Sequence, residues 1–181
     1  MLLKGYETDV LVIGGGGAGL RAALAAAEAG SAVMIVNKGP VSRSGITLTA
    51  AGGMQAPFHN EDSAEQYFQD TLRCGYGLGE PRLARILAEG ACEAALDLER
   101  YGARFVRNDD DTFAMGKFPG QSQSRNLFVK GGGIGIVSAL YKACRANGSI
   151  RIVDDFFVTG LVKGESAGNP VVAGAMGLDL R

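Results

Sequence analysis

An α/β fold built on a parallel sheet is predicted by three observations. The apolar run Val10–Ile13 has the length of a buried strand, and a second apolar run covers Ala32–Val36. Between them, over about 17–29, leucine and alanine recur at intervals of three and four residues, as in an amphipathic helix. Gly30 then stands where a helix commonly ends. Two continuous apolar strands joined by a helix indicate parallel pairing and a sheet covered on both faces.

The glycines after the first apolar run have the spacing of a dinucleotide-binding turn. Gly14, Gly16 and Gly19 form the pattern G-x-G-x-x-G, and a helix rich in alanine and leucine follows directly. The first glycine allows the tight bend, the second lets the backbone approach a pyrophosphate, and the third lets helix and strand pack closely. The free N–H groups at the start of the helix then face the phosphates. A glycine-rich turn in an unrelated α/β protein is the alternative.

The later elements are predicted from the same periodicities and from cap residues. Residues 39–60 are rich in Gly, Ser, Thr and Pro, so we expect a long irregular segment there, which inside a domain is usually functional. Ser63–Gln66 has the spacing of a capping box, and Pro81 suits the first turn of a helix. The other predicted elements are a helix from about 62, a helix over 81–100, short strands near 104–107 and 127–129, a helix over 133–146, and strands over 150–153, 156–162 and 171–178.

Burial and strand pairing are also predicted for two of these elements. Helix 81–100 is expected to bury one stripe of apolar side chains. That stripe comprises Leu83, Ile86, Leu87, Ala91, Ala94, Ala95 and Leu98. The last two strands are expected to form a small antiparallel hairpin or meander, joined by a turn over 163–170.

Composition excludes several classes of protein. The 181 residues include 18 Lys and Arg against 19 Asp and Glu, so no polyanion-binding surface and no nucleic-acid partner are expected. The three cysteines are far apart, and they indicate neither a disulfide framework nor a metal site. Reduced thiols favour a cytoplasmic protein. No apolar run reaches 18 residues, so no membrane span is predicted. The length suits one domain.

In several separate segments the sequence resembles the flavoprotein subunits of succinate dehydrogenase and fumarate reductase. That family includes L-aspartate oxidase and the adenylylsulfate reductase α subunit. The matching segments are Asp9–Ala23, Asn37–Lys38, Arg43–Gly45, Ala50–Met54, Leu98–Gly102, Phe118–Ser122 and the closing meander. The resemblance implies a Rossmann-like FAD-binding domain with a parallel sheet, helical insertions and a small antiparallel β-meander near the C-terminus.

The resemblance also implies FAD chemistry. Members of the family transfer a hydride between the flavin and a small acid, and they pass electrons to an iron–sulfur partner or to oxygen. Respiratory members carry a histidine that bonds covalently to the flavin, where this sequence has Gly45 or Ile46. We therefore expect non-covalent FAD, and a fumarate-reducing, aspartate oxidase-like or adenylylsulfate reductase-like protein. A cytoplasmic location, or one at the inner face of a membrane through partner subunits, fits this family.

Cofactor-binding residues are carried over from the matching segments. Asn37 is expected to accept a hydrogen bond from a ribose, although Asn also suits an ordinary turn after a strand. Lys38 either offsets pyrophosphate charge or is simply solvated. The expected cofactor-binding set is Gly14, Gly16, Gly17, Ala18, Gly19, Asn37, Lys38, Ser44, Gly45, Ile46, Thr47, Ala51, Gly52, Gly53 and Phe157.

A substrate-side loop is expected at Phe118–Ser122. There Phe118 would wall a pocket, and Gln121 or Ser122 would supply hydrogen bonds; a surface loop with one anchored aromatic is the alternative. Ala51 replaces a glutamine of the family. Full-length members are several times longer, so residues 1–181 are expected to be the N-terminal part of an FAD-binding domain. The capping domain and the C-terminal return of that domain would be missing, unless a partner chain supplies them.

No catalytic residue is assigned within these 181 residues, because the family's catalytic side chains belong to the capping domain. The chain is expected to be inactive alone. A different class of function also stays open, a non-catalytic FAD-binding subunit that relays electrons.

Overall fold

A computed structural model describes residues 5–50 and 53–181 of the protein. The chain divides into two compact units. The first unit combines the described residues up to Leu48 with Leu140–Arg181, and the second unit is Thr49–Ala139.

The first unit contains a three-stranded parallel sheet. Its strands are β1 (Val10–Ile13), β2 (Val33–Val36) and β6 (Ile150–Val153), in the order β1-β2-β6. All four residues of β2 are buried, whereas β1 is only half-buried and Ile13 is exposed. Burial on both faces, expected for both apolar strands, therefore holds for the central strand only, because β1 lies at an edge of this sheet.

Helix α1 (Gly17–Glu28) connects β1 and β2 as the sequence predicts. It buries Leu20, Ala23 and Leu24, which recur at intervals of three and one residues on one face. Gly30 follows the C-cap residue with a φ of +89°, a left-handed conformation that glycine adopts without steric cost.

Strands β7 (Phe156–Ser166) and β8 (Asn169–Asp179) form an antiparallel hairpin in the first unit. The predicted turn over 163–170 is wrong, because Gly164 pairs with Val171 and Glu165 with Pro170 inside the hairpin. The turn is only two residues, Ala167 and Gly168, both with the positive φ that such tight hairpins require. Glycine and proline made these strand ends resemble a turn in the sequence. A two-stranded ribbon tolerates both residues better than a central strand does.

The second unit is built from α2 (Ala64–Cys74), α3 (Pro81–Arg100) and a small antiparallel sheet. That sheet has the order β3-β5-β4, with β3 at Gly53–Gln55, β4 at Met115–Gly116 and β5 at Asn126–Phe128. Ser63 caps α2 by accepting a hydrogen bond from Gln66 N at 3.1 Å, and Glu80 caps α3 ahead of Pro81. Both helix starts are confirmed. Helix α4 (Gly132–Ala146) is also close to its predicted bounds.

The apolar stripe predicted for α3 is wrong in its N-terminal half and at Ala94, which is exposed. Leu83, Ile86 and Leu87 are 60%, 57% and 51% exposed. The side chains that α3 buries are mainly alanines, spaced by four and three residues: Ala84, Ala88, Ala91, Ala95 and Leu98. A stripe of small residues allows neighbouring elements to pack closely on that face, and Leu83, Ile86 and Leu87 lie outside the stripe.

No described helix is both long enough and apolar enough to cross a membrane.

Candidate cofactor site and substrate-side loop

The glycine turn between β1 and α1 is shaped by close contacts of the backbone. Gly14 has a φ of +107°, which turns the chain sharply at the end of β1. A Cβ atom on Gly19 would lie 2.0 Å from the carbonyl oxygen of Gly14, so no other residue fits at this position. These contacts agree with the roles that the spacing predicts for the first and third glycines.

The start of α1 leaves N–H groups available to a ligand. Gly16 is the N-cap and has no side chain to cap the helix, while Gly17 N donates to Thr47 Oγ1 at 3.1 Å. The described residues provide no acceptor for the N–H groups of Gly16, Ala18 and Gly19. Unpaired donors at a helix N-terminus are suited to phosphate oxygens. The turn therefore fits the pyrophosphate of a dinucleotide.

Asn37 holds the glycine turn in place. Its Oδ1 accepts a hydrogen bond from Gly15 N at 2.9 Å, and its Nδ2 donates to Gly39 O at 2.6 Å and to Ser44 Oγ at 2.9 Å. Both amide hydrogens are thus used, and Oδ1 retains one lone pair. The ribose contact expected of Asn37 stays a prediction that this lone pair allows.

Lys38 and Phe157 lie together beside the end of β2. The Lys38 ammonium is 4.7 Å from the centre of the Phe157 ring, within the range of a cation–π contact. Phe157 remains partly exposed. The structure therefore brings together two of the expected cofactor-binding residues that are far apart in the sequence.

The segment that resembles the flavin-side loop bends back toward the glycine turn. Ser44 Oγ donates to Pro40 O at 2.8 Å, and Gly45 has a φ of +98°. A Cβ atom on Gly45 would lie 3.9 Å from the Cα of Gly16. Ile46 and Thr47 begin a short 3₁₀ helix, Ile46–Thr49, in which the Ile46 side chain is exposed.

The remaining expected cofactor-binding residues are Ala51, Gly52 and Gly53. Ala51 and Gly52 are outside the described residues. Gly53 begins β3 in the second unit, where an added Cβ would lie 1.9 Å from Leu127 O of the neighbouring strand. Close pairing of β3 and β5 thus gives Gly53 a structural reason to be glycine, whatever its relation to a flavin.

The substrate-side loop has a defined conformation in the second unit. Phe118 is partly exposed, and its N–H donates to Gln121 Oε1 at 2.8 Å. Gly120 has a φ of +87°, and its carbonyl accepts a hydrogen bond from Arg73 at 2.9 Å. Ser122 donates from both its N–H and its hydroxyl to Asp70 Oδ2, at 2.7 Å and 2.6 Å. The Ser122 hydroxyl is therefore engaged within the protein.

A buried ion-pair network under this loop was not predicted from the sequence. The Arg125 guanidinium is fully buried, and it donates to both oxygens of Asp62, at 2.8 Å and 2.7 Å. It also pairs with Asp70, and Asp70 pairs with Arg73. We name Asp62, Asp70, Ser122 and Arg125 the Arg125 network. The one hint in the sequence is a charged residue, Asp70, within α2. That Asp70 lies on the buried side of the helix is known only from the packing.

The electrostatics of the Arg125 network follow from these contacts. Burial raises the pKa of Asp70, but hydrogen bonds from Ser122, Arg125 and Arg73 outweigh it and hold that pKa well below its ordinary value. Hydrogen bonds to Asp62 raise the pKa of Arg125 further. Asp70 is thus an ionised carboxylate at neutral pH, committed to its partners.

The glycine turn and its N–H groups define a dinucleotide-binding α/β protein. Comparison with known families makes this specific, because the family described as FAD binding domain matches residues 9–180. The chain belongs to that family, and FAD is its cofactor.

Similar proteins are flavoprotein oxidoreductases. One chain of the fumarate reductase (CoM/CoB) from Methanothermobacter marburgensis is 37% identical over 180 residues, which cover 97% of this chain and 32% of that protein. L-Aspartate oxidase from Vibrio cholerae is 42% identical over 105 residues, covering 58% of this chain and 19% of that protein. The structure of Mycobacterium smegmatis Sdh1 in complex with UQ1 aligns with a TM-score of 0.84 at 31% identity, over 95% of this chain and 30% of that one. The chain spans about a third or less of the length of these relatives.

Proposed function

We propose that this chain is the FAD-binding part of an oxidoreductase that exchanges a hydride with a small acid. The observation that carries the proposal is the set of unpaired N–H groups of Gly16, Ala18 and Gly19, in a turn too close-packed for a side chain at Gly19. When bound, FAD supplies the redox chemistry, and the protein supplies position and electrostatics. Neither Gly45 nor Ile46 carries a nucleophile, so the cofactor is held without a covalent bond at this place.

Each group of predicted residues has a role in this proposal. The glycine turn binds the pyrophosphate, Asn37 offers its remaining lone pair to a ribose hydroxyl, and Lys38 adds positive charge nearby. We further propose that residues 44–47, Ala51, Gly52 and Gly53 contact the flavin, and that Phe118 and Gln121 contact the substrate. Ser122 remains a proposed substrate contact through its hydroxyl oxygen, while its hydroxyl hydrogen is donated to Asp70 and holds the loop.

A partner that carries electrons is part of the proposal. The relative from Methanothermobacter marburgensis is one of the subunits of its enzyme, which supports assembly with other chains. An iron–sulfur protein is the partner we propose, because a flavin that exchanges hydride with an acid needs a second reactant to restore its redox state.

An L-aspartate oxidase-like function is the second candidate. The 42% identity with the Vibrio cholerae enzyme supports it, as does the missing histidine for covalent attachment. The two candidates differ in substrate and acceptor. Oxygen consumption with L-aspartate by the full-length protein would support the second candidate, whereas fumarate reduction by a reduced dye would support the first.

Three alanine variants test the cofactor site. At Gly16 an added Cβ meets Thr47 Oγ1 at an ordinary 3.5 Å, so Gly16→Ala should fold normally but obstruct the approaching phosphate. We expect it to lower FAD affinity by about tenfold or more, equivalent to about 1.4 kcal/mol. Gly19→Ala should lower both stability and FAD content. Gly148→Ala is the matched control, because nothing lies within 4 Å of its added Cβ.

The measurements are FAD released on acid denaturation, FAD affinity by fluorescence, and the melting temperature without FAD. Complete release of FAD into the supernatant is expected for the wild type. The proposal is wrong if the full-length wild type yields and binds no FAD, or if Gly16→Ala binds FAD as tightly as Gly148→Ala does in the full-length protein.

A further inference from the structure

The substrate-side loop, residues 118–122, keeps its shape by hydrogen bonds within itself. Phe118 N–H donates to Gln121 Oε1 at 2.8 Å, and Gln121 N–H donates back to Phe118 O at 3.1 Å. Lys117 Nζ donates to Ser122 O at 2.8 Å and so joins the two ends of the loop. These bonds fix the conformation of the loop, whereas its position in the second unit depends on contacts with other elements.

The C-terminal part of α2 supplies two attachments for this loop. At one end of the loop, Ser122 donates to Asp70 Oδ2 from both its N–H and its hydroxyl. In the middle, Gly120 lies so close to α2 that an added Cβ would be 2.5 Å from Cys74 Sγ. Gly120 O accepts a hydrogen bond from Arg73 at 2.9 Å and a weaker one from the Cys74 thiol at 3.4 Å. Arg73 is therefore the stronger donor of the second attachment.

Arg73 connects the loop to the buried charges of the Arg125 network. The Nη2 atom of Arg73 that donates to Gly120 O also forms an ion pair with Asp70 Oδ1. Asp70 is held in turn by the fully buried guanidinium of Arg125. The Asp70 carboxylate thus fixes the Arg73 guanidinium, and the guanidinium fixes the loop carbonyl. Hydrogen bonds from a charged donor belong to the stronger class, so this connection is well suited to hold a loop.

We propose that Arg73 is a positioning residue for the substrate-side loop. Gly120 lies between Phe118 and Gln121, two of the residues to which the proposed function gives substrate contacts. Fixing Gly120 O therefore locates both side chains. Of the attachments that the described residues show, a loop without Arg73 keeps the one at Ser122 and the weak thiol contact. The inference rests on the proposed function for the claim that this loop contacts the substrate, whereas the attachment itself does not depend on it.

Arg73 is a position that can be changed without unfolding the protein. Its side chain is 62% exposed, exposed ion pairs contribute little to stability, and Asp70 keeps Arg125 and Ser122 as partners. Arg73→Met removes the donor but keeps most of the aliphatic stem. Arg73→Lys is the conservative variant, because a single nitrogen makes both contacts and one ammonium group can replace it. Arg82→Met, at an exposed arginine in the first turn of α3, is the matched control.

Hydrogen exchange of the loop amides tests the attachment, and it is measured by mass spectrometry on the full-length protein. In Arg73→Met the amides of residues 120–122 should exchange about threefold faster or more, because the loop opens more often. Arg73→Lys and Arg82→Met should exchange these amides as the wild type does. The melting temperature of all three variants should be close to that of the wild type, so that faster exchange reports the loop and not unfolding of the whole protein.

Steady-state kinetics of the full-length protein test whether the position of the loop matters to the substrate. With fumarate and a reduced dye, or with L-aspartate and oxygen, Arg73→Met should raise KM about threefold or more and change kcat by about twofold at most. A residue needed only for folding would lower the amount of active enzyme and leave KM unchanged. Arg73→Lys should restore the wild-type KM, and Arg82→Met should not alter it.

The inference is overturned if the loop amides of Arg73→Met exchange as slowly as those of the wild type, if KM is unchanged in an active enzyme, or if Arg82→Met has the same effects. An active wild type that contains FAD, together with an Arg73→Met variant that behaves like it, contradicts this inference alone. A wild type that turns over neither fumarate nor L-aspartate contradicts the proposed function, and the exchange rates then decide by themselves whether Arg73 holds the loop.

Discussion

The glycine turn of the first unit and the Arg125 network of the second unit are assembled in opposite ways. The turn consists of backbone N–H groups from neighbouring residues, and it depends on missing side chains, above all at Gly19. The Arg125 network consists of side chains separated by up to 63 residues, from Asp62 to Arg125. One region is open to a ligand, whereas the other satisfies its charges internally.

Because of this difference, changes in the two regions should affect different properties of the protein, namely cofactor binding and folding stability. A change in the turn alters what the backbone can approach, so its main effect falls on the cofactor. A change in the Arg125 network leaves a buried charge without a partner, so its main effect falls on folding. Variants in the two regions should therefore give distinguishable results.

The largest effect is expected from Arg125→Met. Methionine fills much of the same space but leaves the buried carboxylates of Asp62 and Asp70 without their common cation. Removing one member of a buried ion pair typically costs about 3–5 kcal/mol. The free energy of unfolding from urea denaturation should fall by that amount, and the second unit should lose structure first.

Arg82→Met is the matched control, since Arg82 is an exposed residue in the first turn of α3. It should change the free energy of unfolding by about 0.5 kcal/mol at most. If Arg125→Met costs no more than Arg82→Met, the Arg125 network contributes little to stability, and the proposed contrast between the two regions fails.

The contrast also explains which elements the sequence could predict. The strand, turn and helix around Gly14–Gly19 are adjacent in the chain, so spacing alone was enough to locate them. Helix α3 was found from its periodicity and from Pro81, but its buried face was predicted correctly only at Ala91, Ala95 and Leu98. Residue size was misleading in the N-terminal half, because Leu83 and Ile86 look like core residues but are exposed, whereas Ala84 and Ala88 are buried.

In the candidate site, too, individual residues could be predicted from the sequence, but their pairings could not. Asn37 was singled out, but its bonds to Gly15 and Ser44 depend on how the segment after β2 folds back. Asp70 gives no local signal of burial, because its partners Ser122 and Arg125 come from a segment more than fifty residues away. Pairings across such distances depend on packing, which composition and periodicity do not encode.

A smaller effect is expected from the titration of Asp70. Its pKa is lowered in the folded protein, so its contribution to stability is present above the ordinary pKa, near 4, and is lost as the pH falls. The Asp70→Asn variant should be less stable than the wild type at pH 7 by at least about 1.4 kcal/mol. The difference should shrink as the pH is lowered from 5 to about 2.

Urea denaturation at several pH values measures this difference. Asp109→Asn, at an exposed position, is the control, and it should change the free energy of unfolding by about 0.5 kcal/mol at most. A constant difference between wild type and Asp70→Asn across this pH range would show that ionisation of Asp70 does not stabilise the fold.

The smallest effect is expected in the first unit, from Thr47→Val. Valine keeps the shape of threonine but removes the Oγ1 atom that accepts a hydrogen bond from Gly17 N at 3.1 Å. Because Gly17 N would then be a further unpaired donor at the start of α1, we expect a loss of about 0.5–1.5 kcal/mol without FAD. A bound phosphate could accept from the same N–H group, so the loss should decrease when FAD is present. Melting temperatures with and without FAD measure this change, with Thr159→Val in the exposed hairpin as control. An equal loss with and without FAD would mean that Gly17 N takes no part in cofactor binding, and that the turn offers the phosphates fewer donors than its geometry allows.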